Sequence, residues 1–299
     1  MSKKISELPA ATTPISGSEL VEISQGGVSK SVAASYLSGS VVVGRELLTA
    51  ARTYYVRTDG SDSNTGLVNS SGGAFLTIQK GIDVAAALDN GGYDITIRVV
   101  AGTYTGACTL KTFVGNGRII IRGDTADLTS SIVSTTSDNS FYAVGNYGVY
   151  HLEYMKIQTT TSGNCLFVGA GSYVTFSNIN FGTTAGNHVV SSTRGQAEAT
   201  GSYTISGGAQ IHIGSFGPGA NIVISNRAVT LSGTPAFSSA FAQAGQGAGI
   251  YASSATFSGA ATGKRYDLSM NAIMYTGSGG ANFFPGNSAG TTLSGGQYA

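Results

Sequence analysis

Charge is scarce in this chain: 16 Lys and Arg against 15 Asp and Glu among 299 residues leave a net of +1 at neutral pH. Surface helices draw on Lys, Glu, Arg and Leu, so the supply argues against a helical bundle. A phosphate-tracking surface is excluded on similar ground, because nucleic-acid binders carry a clustered basic excess. Tryptophan is absent and cysteine occurs twice. Cys108 and Cys165 lie too far apart in sequence to suggest a disulfide framework, and they read as buried free thiols. No run approaches the roughly 18 apolar residues of a membrane-spanning helix. The N-terminus lacks the apolar core of a secretion signal. The expectation is a soluble protein with no secretion address.

What is present is apolar and turn-forming. Hydrophobic residues make up 41% of the chain, with 44 glycines, 15 tyrosines and 12 phenylalanines. That is enough apolar material to fold, so disorder is a poor reading and an all-β class follows.

Residues 1–40 read as a separate small module. Glu19–Ser24 and Val28–Val32 flank Gly26-Gly27, which supplies the positive φ angles of a tight hairpin. Residues 41–53 read as a connector. Residues 54–93 hold an opening strand, an Asx- and Gly-rich turn and one amphipathic helix near Thr77 to Leu88. On that helix Phe75, Ile78, Ile82, Ala85 and Ala86 fall near one face, and Asn90-Gly91-Gly92 ends it. A single helix before a long β region reads as a cap over an otherwise open strand edge.

From Asp94 onward short strands recur, among them Ile95–Val99, Ile119–Ile121, Leu152–Ile157, Val174–Phe176, Ile211–Ile213 and Ile222–Ile224. Ile97, Ile121, Phe176 and Ile224 are the expected inward residues. The phase flips between Val174, Phe176 and Ile179, Phe181, across Ser177-Asn178, and a flip inside a strand run means a corner. Short strands, corners and Gly, Asn or Ser punctuation fit a coil of about 20 to 25 residues, the solenoid range. At roughly 4.8 Å per rung, residues 94–240 would form six or seven coils, about 30 Å of shaft. Residues 241–299 read as a C-terminal trimerisation or tip region.

Three parts of the chain resemble known families. Tyr55–Gly66, Phe75–Ile82 and Val99–Tyr104 resemble the opening coils of pectin-lyase-like β-helices, which implies a right-handed parallel β-helix. Lys4-Ile5-Ser6-Glu7-Leu8-Pro9, with Gln25-Gly26-Gly27-Val28, is similar to the virion-attachment module that begins many bacteriophage tail fibres and tailspikes. Lys264-Arg265-Tyr266-Asp267, Asn271 and Pro285-Gly286-Asn287 resemble the closing segment of such chains. The resemblance implies a homotrimeric virion appendage, attached to the phage tail or head through its N-terminus, that contacts bacterial surface polysaccharide. No cofactor, nucleic acid or membrane insertion is implied. Some members cut the polysaccharide with Asp and Glu side chains.

Glycoside cleavage needs two carboxyl groups about 5 to 10 Å apart. Asp138 and Glu153, separated by somewhat less than one coil, are the one candidate pair, and the alternative is that both are solvated or turn-capping. Carboxylate scarcity makes a glycan binder the expected function, with a polysaccharide hydrolase or lyase and a purely structural fibre or capsid decoration as its rivals. Tyr142, Tyr147, Tyr150 and Tyr154 cluster in sequence and are the candidate glycan contacts, or else they pack between subunits. Asp59, Asp62 and Asn64 faintly resemble a calcium loop but lack its glycine and distal Glu, so a turn is the reading. His151, His188 and His212 have no metal-ligand spacing. His212, between Ile211 and Ile213, is expected to face outward. Ile120, between Arg118 and Arg122, is expected on the outer face. With no second capping helix in the C-terminal coils, neighbouring chains would cover apolar surface and strand edge.

Overall fold

A computed structural model describes residues 20–25, 28–33 and 45–299. The chain divides into two compact units, residues 1–46 and 47–299. In the first, Leu20–Gln25 pairs antiparallel with Val28–Ala33, from Leu20 opposite Ala33 to Gln25 opposite Val28. This is the expected hairpin. Its Gly-Gly turn and the Lys4–Pro9 stretch lie outside the described residues.

The second unit is a parallel β-solenoid of about 8 turns, nearly all-β with one helix. Three strand-bearing faces recur in each complete turn. Face A runs from Arg52–Val56 through Ile95–Val99, Ile119–Arg122 and later strands to Gln297–Tyr298. Face B includes Gly102–Tyr104, Ser131–Ser137, Tyr203–Ile205, Ala228–Leu231 and Thr256–Ser258. Face C runs from Cys108–Thr109 and Phe141–Val144 to Tyr266–Leu268 and Thr291–Thr292. Parallel pairing continues past residue 240 on faces A and C, so residues 241–299 hold the last turns of the same solenoid.

In-register pairing stacks like residues into internal columns. On face A, Tyr54, Ile97, Ile121, Leu152 and Phe176 stand one above another. On face C the column is Cys108, Phe141, Leu166, Val189 and Ile213. Ile97, Ile121, Phe176 and Ile224 are all buried, as expected. So are both free cysteines. Ile120 is in register with Thr96 and His151 on the opposite side of the sheet. It stays outside the core cluster, yet its neighbours on that side shield it almost completely.

The corners carry left-handed backbone. Tyr154 (φ 57°) and Asn178 (φ 50°) turn face A into face B, and Asn178 is the corner the phase flip foretold. At the C-to-A corner Gln246, Met270 and Ser294 all have positive φ, and their even spacing marks the length of one coil. An asparagine ladder ties the B-to-C corners: Asn164 Nδ2 donates to Asn139 Oδ1 at 2.7 Å, and Asn187 Nδ2 to Asn164 Oδ1 at 2.8 Å.

The two ends close differently. Helix α1 (Ile78–Ala86) starts at Thr77, whose hydroxyl accepts from Lys80 N, and buries Ile78, Ile82, Ala85 and Ala86. A Cβ on Gly81 would lie 2.9 Å from Ile97 Cγ2, so glycine lets the helix seat against the first coils. From this helix Gln79 Oε1 accepts from Thr109 N at 2.6 Å and its Nε2 donates to Thr109 O at 3.2 Å. The side chain thus pairs with the first strand of face C as a neighbouring strand would, which blunts that edge. At the other end no helix is used. Phe284 is 1% exposed and packs on Phe241, Phe257 and Phe283, so an aromatic plug from the chain itself covers the end of the core. Phe284→Ala is expected to cost about 3–5 kcal/mol. The loss should appear as a lower urea midpoint, with the slope unchanged if unfolding stays cooperative.

Candidate functional site

The outward side of face A gathers the chain's most concentrated chemistry, because parallel pairing brings residues one coil apart side by side. Arg98, Arg122, Glu153 and Ser177 form one outward row. Thr96, Ile120, His151 and Thr175 form the next. Arg122 Nε donates to Glu153 Oε1 at 2.6 Å. His151 Nε2 lies 3.5 Å from Glu153 Oε2 and 3.2 Å from Ser177 Oγ. His151 Nδ1 is 2.8 Å from Thr175 Oγ1, and the Thr175 hydroxyl donates to Tyr150 O, so Nδ1 is the donor of that pair. Burial works to raise the Glu153 carboxyl, but the hydrogen bonds from His151 and Arg122, with their charge, outweigh it and hold the group below the usual carboxylate range. Glu153 is therefore kept ionised at neutral pH, which suits an orienting role and not a proton donor.

The candidate carboxylate pair does not come together. Asp138 is exposed at the turn between faces B and C, where Oδ1 accepts from Asn139 N at 2.7 Å. Glu153 stands on face A, within its own network of Arg122 and His151. The four tyrosines do not make one patch either. Tyr150 is fully buried, and its hydroxyl donates to Lys111 O at 2.7 Å. Tyr142 is on face C, stacked on Phe167 with centroids 5.4 Å apart. Tyr147 is 75% exposed in the turn before face A, and Tyr154 sits at the A-to-B corner.

The Asx-rich loop is a tie and not an ion cradle. Asp59 pairs with Arg57, Asp62 accepts from Leu76 N, Thr77 N and the Thr77 hydroxyl, and Asn64 donates to Ser71 O and Ala74 O. His212 corrects another expectation: it is fully buried, among Phe181, Tyr203, Phe237 and Phe241. Ile211, His212 and Ile213 are buried in succession, so alternation with its isoleucines fails there.

Sequence reasoning missed the outward aromatic rungs near the C-terminal end of face A. Tyr251 and Tyr275 are register partners, 37% and 46% exposed. A Cβ on Gly249 would lie 2.7 Å from Tyr251 Cε2, so the Tyr251 ring extends over that glycine. No protein-family model, curated protein or solved structure matches the chain. The reading of the site therefore rests on its own geometry. Toward the middle of the same face, Tyr173 donates through its hydroxyl to Glu198 at 2.6 Å, and Gln196 and Asn221 are register partners alongside. Face A thus presents a cluster of arginines with their carboxylate partners at one end, hydrogen-bonding side chains in the middle and two tyrosine rings at the other. That sequence of surfaces suits an extended, hydroxyl-rich ligand. The one-coil spacing of Tyr251 and Tyr275 was the available signal, hidden until the coil length was known.

Proposed function

We propose that the protein is a bacteriophage virion appendage, a homotrimer attached through its N-terminal module, whose face A binds a bacterial surface glycan without cutting it. The observation that carries the glycan reading is the pair of exposed tyrosines on adjacent rungs. Rungs in a parallel sheet lie about 4.8 Å apart, so a glycan lying along the solenoid would meet a ring at each step. Phenol rings cover the apolar faces of pyranoses while the hydroxyl reaches the rim. The virion part of the reading rests on the Lys4–Pro9 and Gln25–Val28 resemblance. Binding without cleavage is favoured by the separation of Asp138, at the turn between faces B and C, from Glu153 on face A. Three copies per appendage and many appendages per particle would raise avidity by about two to four orders of magnitude over one weak site.

Both rings are outside the core, so Tyr251→Ala and Tyr275→Ala should leave the melting temperature nearly unchanged. The pair together should weaken binding to extracted host surface polysaccharide by about tenfold or more, since aromatic contacts contribute roughly 0.5–1.5 kcal/mol each beyond burial. Incubation with that polysaccharide should release no reducing ends or unsaturated products. Unchanged binding in the double variant would reject this surface. Product release abolished by Glu153→Gln would turn the reading to a depolymerase.

A further inference from the structure

At the other end of face A from the tyrosines, a cleft of about 280 Å³ is lined by Thr53, Tyr55, Thr96, Arg98, Arg122 and Thr125. We infer that this cleft is a subsite for the carboxylate of an acidic sugar, which makes the ligand class a uronate- or sialate-type anionic polysaccharide. The inference deepens the glycan reading and rests on it.

The composition of the lining is the first argument. Two guanidinium groups, three threonine hydroxyls and one phenol converge there, and no carboxylate lines the cleft. All six residues can donate hydrogen bonds, and neither arginine can accept one. A carboxylate, which only accepts, can therefore be met by every group in the lining.

The second argument is how the arginines are held. Arg122 engages Glu153 through Nε, and no partner occupies its two terminal amino groups among the described residues. Arg98 donates through Nη1 to Gly123 O, and its Nη2 stands 3.7 Å from Asp124 Oδ1. Asp124 and Glu153 act as buttresses: they fix the guanidinium planes without filling the cleft. Because both side chains are oriented before a ligand arrives, little rotamer entropy remains to be lost on binding. Their side chains are 27% and 38% exposed, open enough to be reached and sheltered enough to limit screening.

The third argument is shape. Planar guanidinium donors match a carboxylate with two parallel hydrogen bonds, whereas a neutral hydroxyl accepts only one. Tyr55 and Arg98 are register partners, so a ring and a guanidinium flank the same position of the cleft. A sugar whose carboxylate meets the arginines would have its ring beside Tyr55.

The test uses the full chain and a glucuronate-containing polysaccharide, compared with the same polymer after its carboxyl groups are reduced to alcohols. Titration calorimetry should show binding to the acidic polymer at least about tenfold tighter than to the reduced one. Arg98→Gln should remove about tenfold or more of that affinity. Thr125→Asp, at an exposed position, should do the same by repulsion while the melting temperature holds, which separates loss of binding from loss of fold. Equal binding of both polymers, or acidic binding untouched by both substitutions, would overturn the carboxylate subsite and leave the tyrosine-dependent glycan reading standing. Failure to bind the acidic polymer at all would overturn the subsite as well. The glycan reading itself falls only if host polysaccharide binding is indifferent to Tyr251 and Tyr275.

Discussion

Ile121→Asp is expected to leave no soluble, cooperatively folding protein, whereas Ile120→Asp, one residue earlier, should fold. Ile121 is fully buried in the face A column between Ile97 and Leu152. Removing its side chain from the core forfeits about 1.5–3 kcal/mol of burial. An unpaired carboxylate in that position adds a desolvation penalty of several kcal/mol, or else must stay protonated with its hydroxyl unpartnered. Whole domains have only about 5–15 kcal/mol to lose. Ile120 points the other way, outside the core cluster and between Arg118 and Arg122 in sequence, so a carboxylate there has guanidinium groups on its own side of the sheet to pair with. Far-ultraviolet circular dichroism and melting of both variants read the contrast directly. A soluble Ile121→Asp protein with an unchanged melting temperature would mean that the inward column is misassigned.

The contrast between these neighbours also shows what was legible beforehand. Ile97 and Phe176 could be placed because their strands alternate, and Ile121 because Arg118 and Arg122 mark the outward phase on either side of it. The Ser177-Asn178 corner was visible because the phase changed across it. The helix start near Thr77 was readable, whereas its end was not: the helix stops at Ala86 with Ala87 as its cap, before the Asn90-Gly91-Gly92 stop that the sequence offered. The site was far less legible. A solenoid brings together residues separated by one coil, so every pairing depends on knowing the coil length to the residue. The repeat is irregular, so Glu153 could not be matched to Ser177, one coil on, or to Arg122, which lies back across a longer coil. Asp138, well short of a full coil from Glu153, therefore had to lie on another face. Tyr150 shares its phase with Leu152, which was a readable sign that it points inward. His212 had the opposite trouble, because Ile211, His212 and Ile213 are buried in succession and alternation gave it a false outward phase.

That inward histidine leads to the second large expected effect, a loss of stability as pH falls from about 6.5 toward 4. His188 Nε2 lies 2.9 Å from Gly182 O, which can only accept, so this nitrogen carries the proton. His188 Nδ1 then accepts from His212 Nδ1 at 3.0 Å, and His212 Nε2 accepts from the Tyr203 hydroxyl at 2.9 Å. The chain of bonds runs in one direction, is complete, and requires both rings to be neutral. A proton added to His188 would put two N–H groups nose to nose, and one added to His212 would reverse the bond to the Tyr203 hydroxyl and leave an unpaired charge in a dry core. Burial accordingly pushes His188 down to about 4, and burial together with the neighbouring His188 pushes His212 further in the same direction. In the unfolded chain both titrate near 6.5. Because the folded values are depressed, the unfolded state takes up protons first: the contribution to stability is complete above about 6.5 and is lost as pH falls toward the folded values. For His188 alone that window corresponds to about 3 kcal/mol, at roughly 1.36 kcal/mol per unit, with His212 adding to it. Urea midpoints measured at intervals from about pH 7 to 4.5 should fall steadily. Replacing both histidines by glutamine should lower the midpoint at pH 7 but flatten its dependence in this window. An equally steep dependence in the double variant would mean that other groups drive the acid sensitivity and that the His188–His212–Tyr203 chain does not.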